Sequence, residues 1–344
     1  MRAGVVGATG YGGAELLRIL HTHPHIKVTS LYSSTKNGEN ITDHYPHLQA
    51  NFPMKLEDIN PTKMAQQTDI IFLAVPSGIA STLAPQLLEA GCTVIDLSGD
   101  FRLKESDEYE NWYKKKAAPK AWLDQAVYCI PELNRQELKD TKFISNPGCY
   151  PTATLLGLAP LAKANLLKED SIIIDAKSGV SGAGQTASFG TIYNELNENL
   201  KIYKVNEHQH IPEIEQMLQH WGQTSPITFH THLVPMTRGI MATIYTSLND
   251  TITEDRLYKL YEDFYENEPF VRLRDPGKFP ATKEVSGSNY CDIGVTLDKR
   301  TGRVTIVSVI DNLMKGAAGQ AIQNANILLG YEETAGLTYS PVYP

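Results

Sequence analysis

The chain lacks the features that mark whole classes of protein. It has four cysteines in 344 residues (Cys92, Cys129, Cys149 and Cys291). None stands at a CxxC or other metal-ligand spacing, so no metal site is expected, and a chain of this size needs no disulfide staples. No basic run stands out and the formal net charge is −8, which sets nucleic acid aside as the main partner. No apolar run approaches the roughly 20 residues of a membrane span. The opening "MRAGVVGATGYGG" enters a fold-forming motif at once, so no signal or transit segment is expected and a reducing cytoplasm is the simplest setting. Internal repeats and low-complexity tracts are absent as well. The length itself points to two domains.

The first part alternates strand-like and helical runs. "RAGVVG" (2–7), "IKVTSLYSS" (26–34), "TDIIFLAVPSG" (68–78), "TVIDLSGDF" (93–101) and "TKFISNPG" (141–148) read as strands. "AELLRILHTH" and "SGIASTLAPQLLEAG" between them have helical spacing. That order predicts a parallel sheet covered by helices, an α/β Rossmann domain over 1–148. After Cys149 the texture changes. A helix is expected over 151–167, followed by strand runs at 171–180, 227–236 and 239–248. "YCDIGVTLDKRTGRVTIVSVID" reads as a hairpin turning near Lys299–Gly302, and "DRLYKLYEDFYENEP" as an amphipathic helix. The second domain, 149–311, is therefore expected to be α+β with a mostly antiparallel sheet. "NLMKGAAGQAIQNANILLG" (312–330) reads as one final helix.

"GATGYGG" places Gly7, Gly10 and Gly13 between the first strand and the first helix. Glycines there permit a tight turn and close approach of a pyrophosphate to the helix N-terminus. Thr9, Tyr11, Gly12 and, after the later strand, Pro76 join them as candidate dinucleotide contacts. The spacing is GxxGxxG rather than GxGxxG. An NAD site usually carries a carboxylate at the end of strand two for the ribose hydroxyls. Here that position holds Ser33, Ser34, Thr35 and Lys36, which favours NADP (NADPH) over NAD.

"SNPGCYPTAT" frames Cys149 between a Pro-Gly turn and a proline suited to the first turn of a helix. A cysteine at a helix N-terminus feels the positive end of the dipole, which favours thiolate. The other three cysteines sit in apolar runs and read as core. A thiolate nucleophile needs a proton-transfer partner. "NEHQHIPE" offers His208 and His210, placed in an extended segment before a helix so that both face one cleft. "KSGVSGAGQ" (177–185) is a glycine-serine loop whose backbone donors suit an anion or oxyanion. Arg102 in "SGDFR" and Arg238 in "PMTRG" are cations that could grip a carboxylate or phosphate.

Taken in order, "GATGYGG", "SGDFR", "NPGCYPT", "SGVSGAG", "HQHIPE", "HLVPMTRG" and "NLMKGAAGQAIQN" closely resemble the N-acetyl-gamma-glutamyl-phosphate reductases, NADP-dependent arginine-biosynthesis enzymes of the aspartate-semialdehyde dehydrogenase-like superfamily. The resemblance spans nearly the whole chain. It implies that Cys149 matches the nucleophile and His210 the acid–base histidine, with His208 a companion near the substrate. Arg102, Lys177, Ser178, Gly179 and Arg238 become candidate substrate contacts. Ser178, Asn312, Lys315 and Gly316 become candidate cofactor contacts, the last three on a helix that returns to the cofactor domain. Gln185 departs from the family, where arginine or lysine is often found. A homodimer or homotetramer acting on a small acyl phosphate is expected. The rival readings are the same chemistry on aspartyl phosphate or on a carrier-bound glutamyl or aminoadipyl phosphate, an NADP(H)-binding redox sensor, and a cysteine hydrolase. The dinucleotide fingerprint weighs against the last.

Overall fold

The computed structural model describes residues 1–343. They form two compact units, Met1–Pro147 with Ala317–Thr338, and Gly148–Gly316 with the residues from Tyr339 on. The first unit is a seven-stranded, wholly parallel sheet in the order β3-β2-β1-β4-β5-β7-β6. Its strands are β1 (Arg2–Val6), β2 (Lys27–Tyr32), β3 (Leu56–Glu57), β4 (Ile70–Leu73), β5 (Thr93–Asp96), β6 (Val127–Tyr128) and β7 (Phe143–Ser145). β4 reads IIFL and every residue is buried, as a strand covered on both faces requires. The strand order reverses direction between β1 and β4. The crevice at the carboxyl ends of those two strands is where ligands of such sheets bind.

The segment expected as one helix over 312–330 is divided. Asp311 Oδ1 accepts the amides of Leu313 and Met314, and Gly316 N reaches back to Asp311 O. This winds Met314–Ala318 as a π turn in which the chain leaves the second unit. The helix proper is Gly319–Leu328. It docks in the first unit through buried amides rather than an apolar stripe. Asn324 Nδ2 donates to Cys129 O and Asn146 Oδ1, and Gln323 Nε2 donates to Glu132 Oε1.

The second unit holds β8 (Ile173–Ser178), β9 (Lys201–Tyr203), β10 (Thr228–Leu233), β11 (Ile240–Ser247), β12 (Val271–Leu273), β13 (Cys291–Asp298) and β14 (Arg303–Ile310). The order is β12-β13-β14-β11-β8-β10-β9, mostly antiparallel, with β12–β13 and β8–β10 parallel. The β13–β14 hairpin turns at the expected place, closed by Gly302 N on Asp298 O. Helix Cys149–Lys163 lies across one face, with Gly157 against Ile244, Ile306 and Ser308. A methyl group at Gly157 would sit 3.0 Å from Ile244 Cδ1, so a side chain there would have to push the Ile244 methyl aside by a few tenths of an ångström. Tyr261 Oη and Tyr265 Oη from helix Glu254–Tyr265 donate to the carbonyls of Gly157 and Leu156. Among the described residues no helix is long and apolar enough to cross a membrane.

One buried acid makes the first unit sensitive to pH. Asp96, at the end of β5, is fully enclosed, and burial, with Asp100 nearby, pushes its carboxyl up to about 7. The native chain therefore holds a proton that the unfolded chain releases near pH 4. Its contribution to stability is complete below pH 4 and is lost as pH rises from about 4 to about 7, at about 1.4 kcal/mol per unit. Asp96→Asn should flatten this part of the profile. Melting temperatures of both proteins across pH 4–8 check it, and parallel profiles would refute the assignment.

Candidate active site

The thiol site is built from two helix beginnings. Cys149 is the first residue of helix Cys149–Lys163, with Gly148 as an N-cap that offers no side chain. Thr152 N and Oγ1 both bond Gly148 O, which closes the first turn tightly behind the sulfur. Cys149 is half-buried, whereas Cys92, Cys129 and Cys291 are enclosed in the core. Burial pushes the Cys92 thiol up, away from reactivity.

His210 opens the second helix, His210–His220. The two histidines were expected in an extended segment. Instead Gln209 is helical and His210 N donates to His208 Nδ1 at 3.1 Å. The two rings lie steeply tilted to one another at 57°, with centroids 4.7 Å apart. His208 is walled in by Tyr150, Tyr203 and Phe229. Burial, with Lys204 nearby, drives its pKa down to about 3, so the ring is neutral. Because Nδ1 accepts, the proton sits on Nε2. The Tyr150 ring also edges against His210, and Tyr150 Oη pairs with Tyr203 Oη at 2.9 Å.

Sequence reasoning missed the residue that joins the two helices. Glu213 is fully buried. Its Oε1 accepts the Gly148 amide at 2.7 Å, and its Oε2 lies 4.0 Å from His210 Nε2. One carboxylate thus holds the backbone just before Cys149 and faces His210. The signal was present, since "HIPE" places a glutamate one turn after His210. Gly316 completes the pocket floor. A Cβ there would lie 2.8 Å from Cys149 Cβ and 3.2 Å from Cys149 Cα, so only glycine lets the 314–318 turn pass beneath the thiol.

The structure relocates several other candidates. The loop after β8 does not offer a free row of amides. Gly179, Val180 and Ser181 donate to the carbonyls of Gly239, Met236 and Thr237, and Gly182 and Gly184 close turns within the loop. Ser178 Oγ donates to Gly179 O. Gly179 must be bare because a Cβ would strike Thr237 O at 2.7 Å. Lys177 alternates to the sheet face opposite Ser178 and pairs with Asp175 at 2.6 Å, which removes it from the thiol site. Asn312 clamps loops, accepting from Gly239 N and donating to Ser181 Oγ. Lys315 is fully buried with Nζ over the Phe270 ring. Arg238 faces Asp311 at 3.4 Å. In the first unit, Arg102 is 7% exposed and donates to Asn146 O and Leu97 O, so it braces strand ends before anything else.

The glycine turn of the first unit passes a test for a dinucleotide. Gly7, at φ +83°, and Gly13 are required by packing, since a Cβ on either would meet a carbonyl oxygen at 2.3 Å. Gly10 and Gly12 are not crowded in this way, their nearest neighbours being 3.5 and 4.0 Å off. Gly10 caps helix Tyr11–His21 with no side chain and no acid stands in its first turn. Tight turn, open approach and uncapped positive helix end fit a pyrophosphate. At the end of β2, Ser33 Oγ accepts the amides of Thr35 and Lys36 and fixes that turn. Ser34 is exposed, and Lys36 pairs loosely with Glu39 at 3.6 Å.

Family comparisons agree with both halves. The model for the semialdehyde dehydrogenase NAD binding domain matches residues 2–141, and that for the semialdehyde dehydrogenase dimerisation domain matches 149–312. Proteins from Bacillus subtilis (strain 168) and Geobacillus sp. (strain WCH70), each called N-acetyl-gamma-glutamyl-phosphate reductase, are 59% and 57% identical over all of both chains. The chain belongs to the N-acetyl-gamma-glutamyl-phosphate reductase family. Solved structures share this reductase fold at lower identity. Aspartate semialdehyde dehydrogenase II from Vibrio cholerae has a TM-score of 0.72 and 19% identity, with 96% of this chain and 98% of that one covered. The Candida albicans aspartate semialdehyde dehydrogenase with NADP has a TM-score of 0.72 and 16% identity, with 95% and 98% covered.

Two substitutions test how the reductase site is held. Gly316→Ala should lower the rate of Cys149 alkylation and turnover tenfold or more while leaving the circular dichroism unchanged, because an overpacked contact displaces the thiol. Glu213→Gln keeps an oxygen for Gly148 N and loses only the charge. It should retain clearly more turnover than Glu213→Ala, and equal losses would refute the division of roles.

Proposed function

We propose that the chain reduces N-acetyl-gamma-glutamyl phosphate to N-acetyl-glutamate 5-semialdehyde and phosphate with NADPH, through a cysteine thioester, in arginine biosynthesis. The observation that carries this reading is Cys149 at an uncapped helix start, tied by the buried Glu213 carboxylate to a histidine that starts the neighbouring helix. The full-length relatives of that name supply the substrate.

The residues present account for the acyl chemistry. The helix dipole favours Cys149 as thiolate. Its sulfur attacks the acyl carbon, the C–O bond to phosphate breaks, and a thioester remains on Cys149. NADPH, when bound, supplies the hydride that reduces this thioester. The resulting thiohemiacetal oxyanion takes from His210 the proton that the Cys149 thiol gave up to it on forming the thiolate. On collapse His210 recovers that proton, the C–S bond breaks, and the aldehyde leaves with the thiolate restored. His208, held neutral and locked as the Nε2–H tautomer, presents a fixed donor that stays uncharged through the cycle. Glycines 7, 10, 12 and 13, with Thr9 and Tyr11, would hold the pyrophosphate region, with Pro76 on the neighbouring turn. Ser34 and Lys36 at the end of β2, where no carboxylate repels a 2′-phosphate, support NADP over NAD. The dimerisation-domain match supports a homodimer or homotetramer, and a biosynthetic role of this kind fits the cytoplasm.

The deciding assay is phosphate-dependent reduction of NADP with N-acetyl-glutamate semialdehyde. Cys149→Ser should abolish it, and His210→Asn should lower turnover by about a hundredfold or more. Faster reaction with aspartate semialdehyde would overturn the substrate, and near-normal turnover in His210→Asn would overturn the acid–base role.

A further inference from the structure

At the point where the first sheet changes direction, two turns leave neighbouring parallel strands. One is the glycine turn after β1; the other is 74–79 after β4. They are locked together. Ala74 N donates to Val6 O at 2.9 Å, and the bare Gly7 lies directly against Ala74 O. A shift of the second turn therefore disturbs the first. The second turn packs Val75 against the apolar core but is open to solvent beyond it. Pro76 and Gly78 are exposed, Ile79 is 42% exposed, and Gly78 adopts φ +92°.

What holds it lies underneath. Asp100, fully buried, accepts the Gly78 amide on both oxygens at 2.7 and 2.8 Å and the Ser81 amide on Oδ2 at 2.9 Å. Tyr109 Oη donates to Oδ1 at 2.7 Å from helix Ser106–Tyr113. Gly99 N donates to Ser77 Oγ, and Asp100 N donates to Ser98 Oγ, which itself donates to Asp96. The Tyr113 ring lies on Gly99, where any side chain would clash. The turn is thus pinned from its inner side by one carboxylate, while on its outer side the Lys115 side chain lies against Gly78 and its Nζ donates to Ser77 O.

The same carboxylate decides which helix end stays open. Helix Ala80–Glu89 begins beside the crevice and its N-cap Ile79 gives it no side chain. Asp100 caps it from a distance through the Ser81 amide. Helix Tyr11–His21 has no such cap. Two positive helix ends meet at this crevice, and only one is left for an anion.

We propose that Asp100 is a positioning residue for dinucleotide binding, fixing the turn after β4 as one wall of the crevice and closing the second helix end so that pyrophosphate is received by the first. The proposal rests on the reading that this unit binds NADP(H).

The test is fluorescence titration of NADPH into the full chain, without acyl substrate, for wild type, Asp100→Asn and Tyr109→Phe. Tyr109→Phe removes one donor from Asp100 and leaves the turn's amides bound. Asp100→Asn should raise the NADPH dissociation constant tenfold or more, with the alkylation rate of Cys149 unchanged. Tyr109→Phe should lower the melting temperature yet keep NADPH affinity within about twofold. If Asp100→Asn does not fold, Ser81→Pro replaces it, with Ser81→Ala as its control; proline is tolerated in a first helical turn and removes the Ser81 amide that Asp100 caps, while alanine removes only the Ser81 Oγ bond to Gly78 O. Unchanged or tighter binding in Asp100→Asn overturns the proposal, as does a loss of affinity in Tyr109→Phe equal to that in Asp100→Asn. Failure of the wild-type chain itself to bind NADPH overturns the dinucleotide reading beneath it.

Discussion

The thiol site depends on a single buried hydrogen bond, from the amide of Gly148 to the Glu213 carboxylate. A fully buried carboxylate is costly unless it is met by donors. Glu213 meets that demand by gripping the backbone immediately before Cys149 and by facing His210. The constraint runs both ways. The helix that begins with Cys149 cannot slide along its axis without stranding the carboxylate. The helix that begins with His210 cannot rotate without taking Glu213 away from Gly148.

Around that bond, the polar groups have separate tasks. Cys149 keeps the uncapped helix end, where thiolate is favoured. His208 is kept neutral by the aromatic wall of Tyr150, Tyr203 and Phe229 and orients the His210 backbone. Asn312 and the carbonyls of 236–239 freeze the loop after β8, so its shape is fixed before any ligand arrives. Gly316 shows the tolerance of the arrangement, for the chain passes so close beneath Cys149 that one methyl group is too many.

The first unit solves a similar problem by similar means. One of the turns bordering its crevice is open to solvent beyond Val75. A buried acid, Asp100, supplies the rigidity from beneath. Asp96 beside it holds a proton up to about pH 7, which spares the interior two neighbouring negative charges. In both units a buried carboxylate holds the backbone beside the candidate site, Glu213 at Gly148 and Asp100 at Gly78.

Local patterns were enough to read the parallel and antiparallel halves, the β13–β14 hairpin, the glycine turn and Cys149 as the one of four cysteines outside the core. Each rests on contacts between residues close in sequence: strand periodicity, a Pro-Gly corner, a glycine spacing. The break of the 312–330 helix, the turning of Lys177 to the far side of the sheet, and the commitment of Arg102 and the 179–184 amides to backbone partners were decided by tertiary structure. So were the roles of Glu213 and Asp100. Those outcomes depend on which donors and acceptors meet across long stretches of chain, Gly148 with Glu213 or Gly78 with Asp100. A buried polar group must find its partner wherever the fold brings one, and sequence spacing carries no record of that meeting.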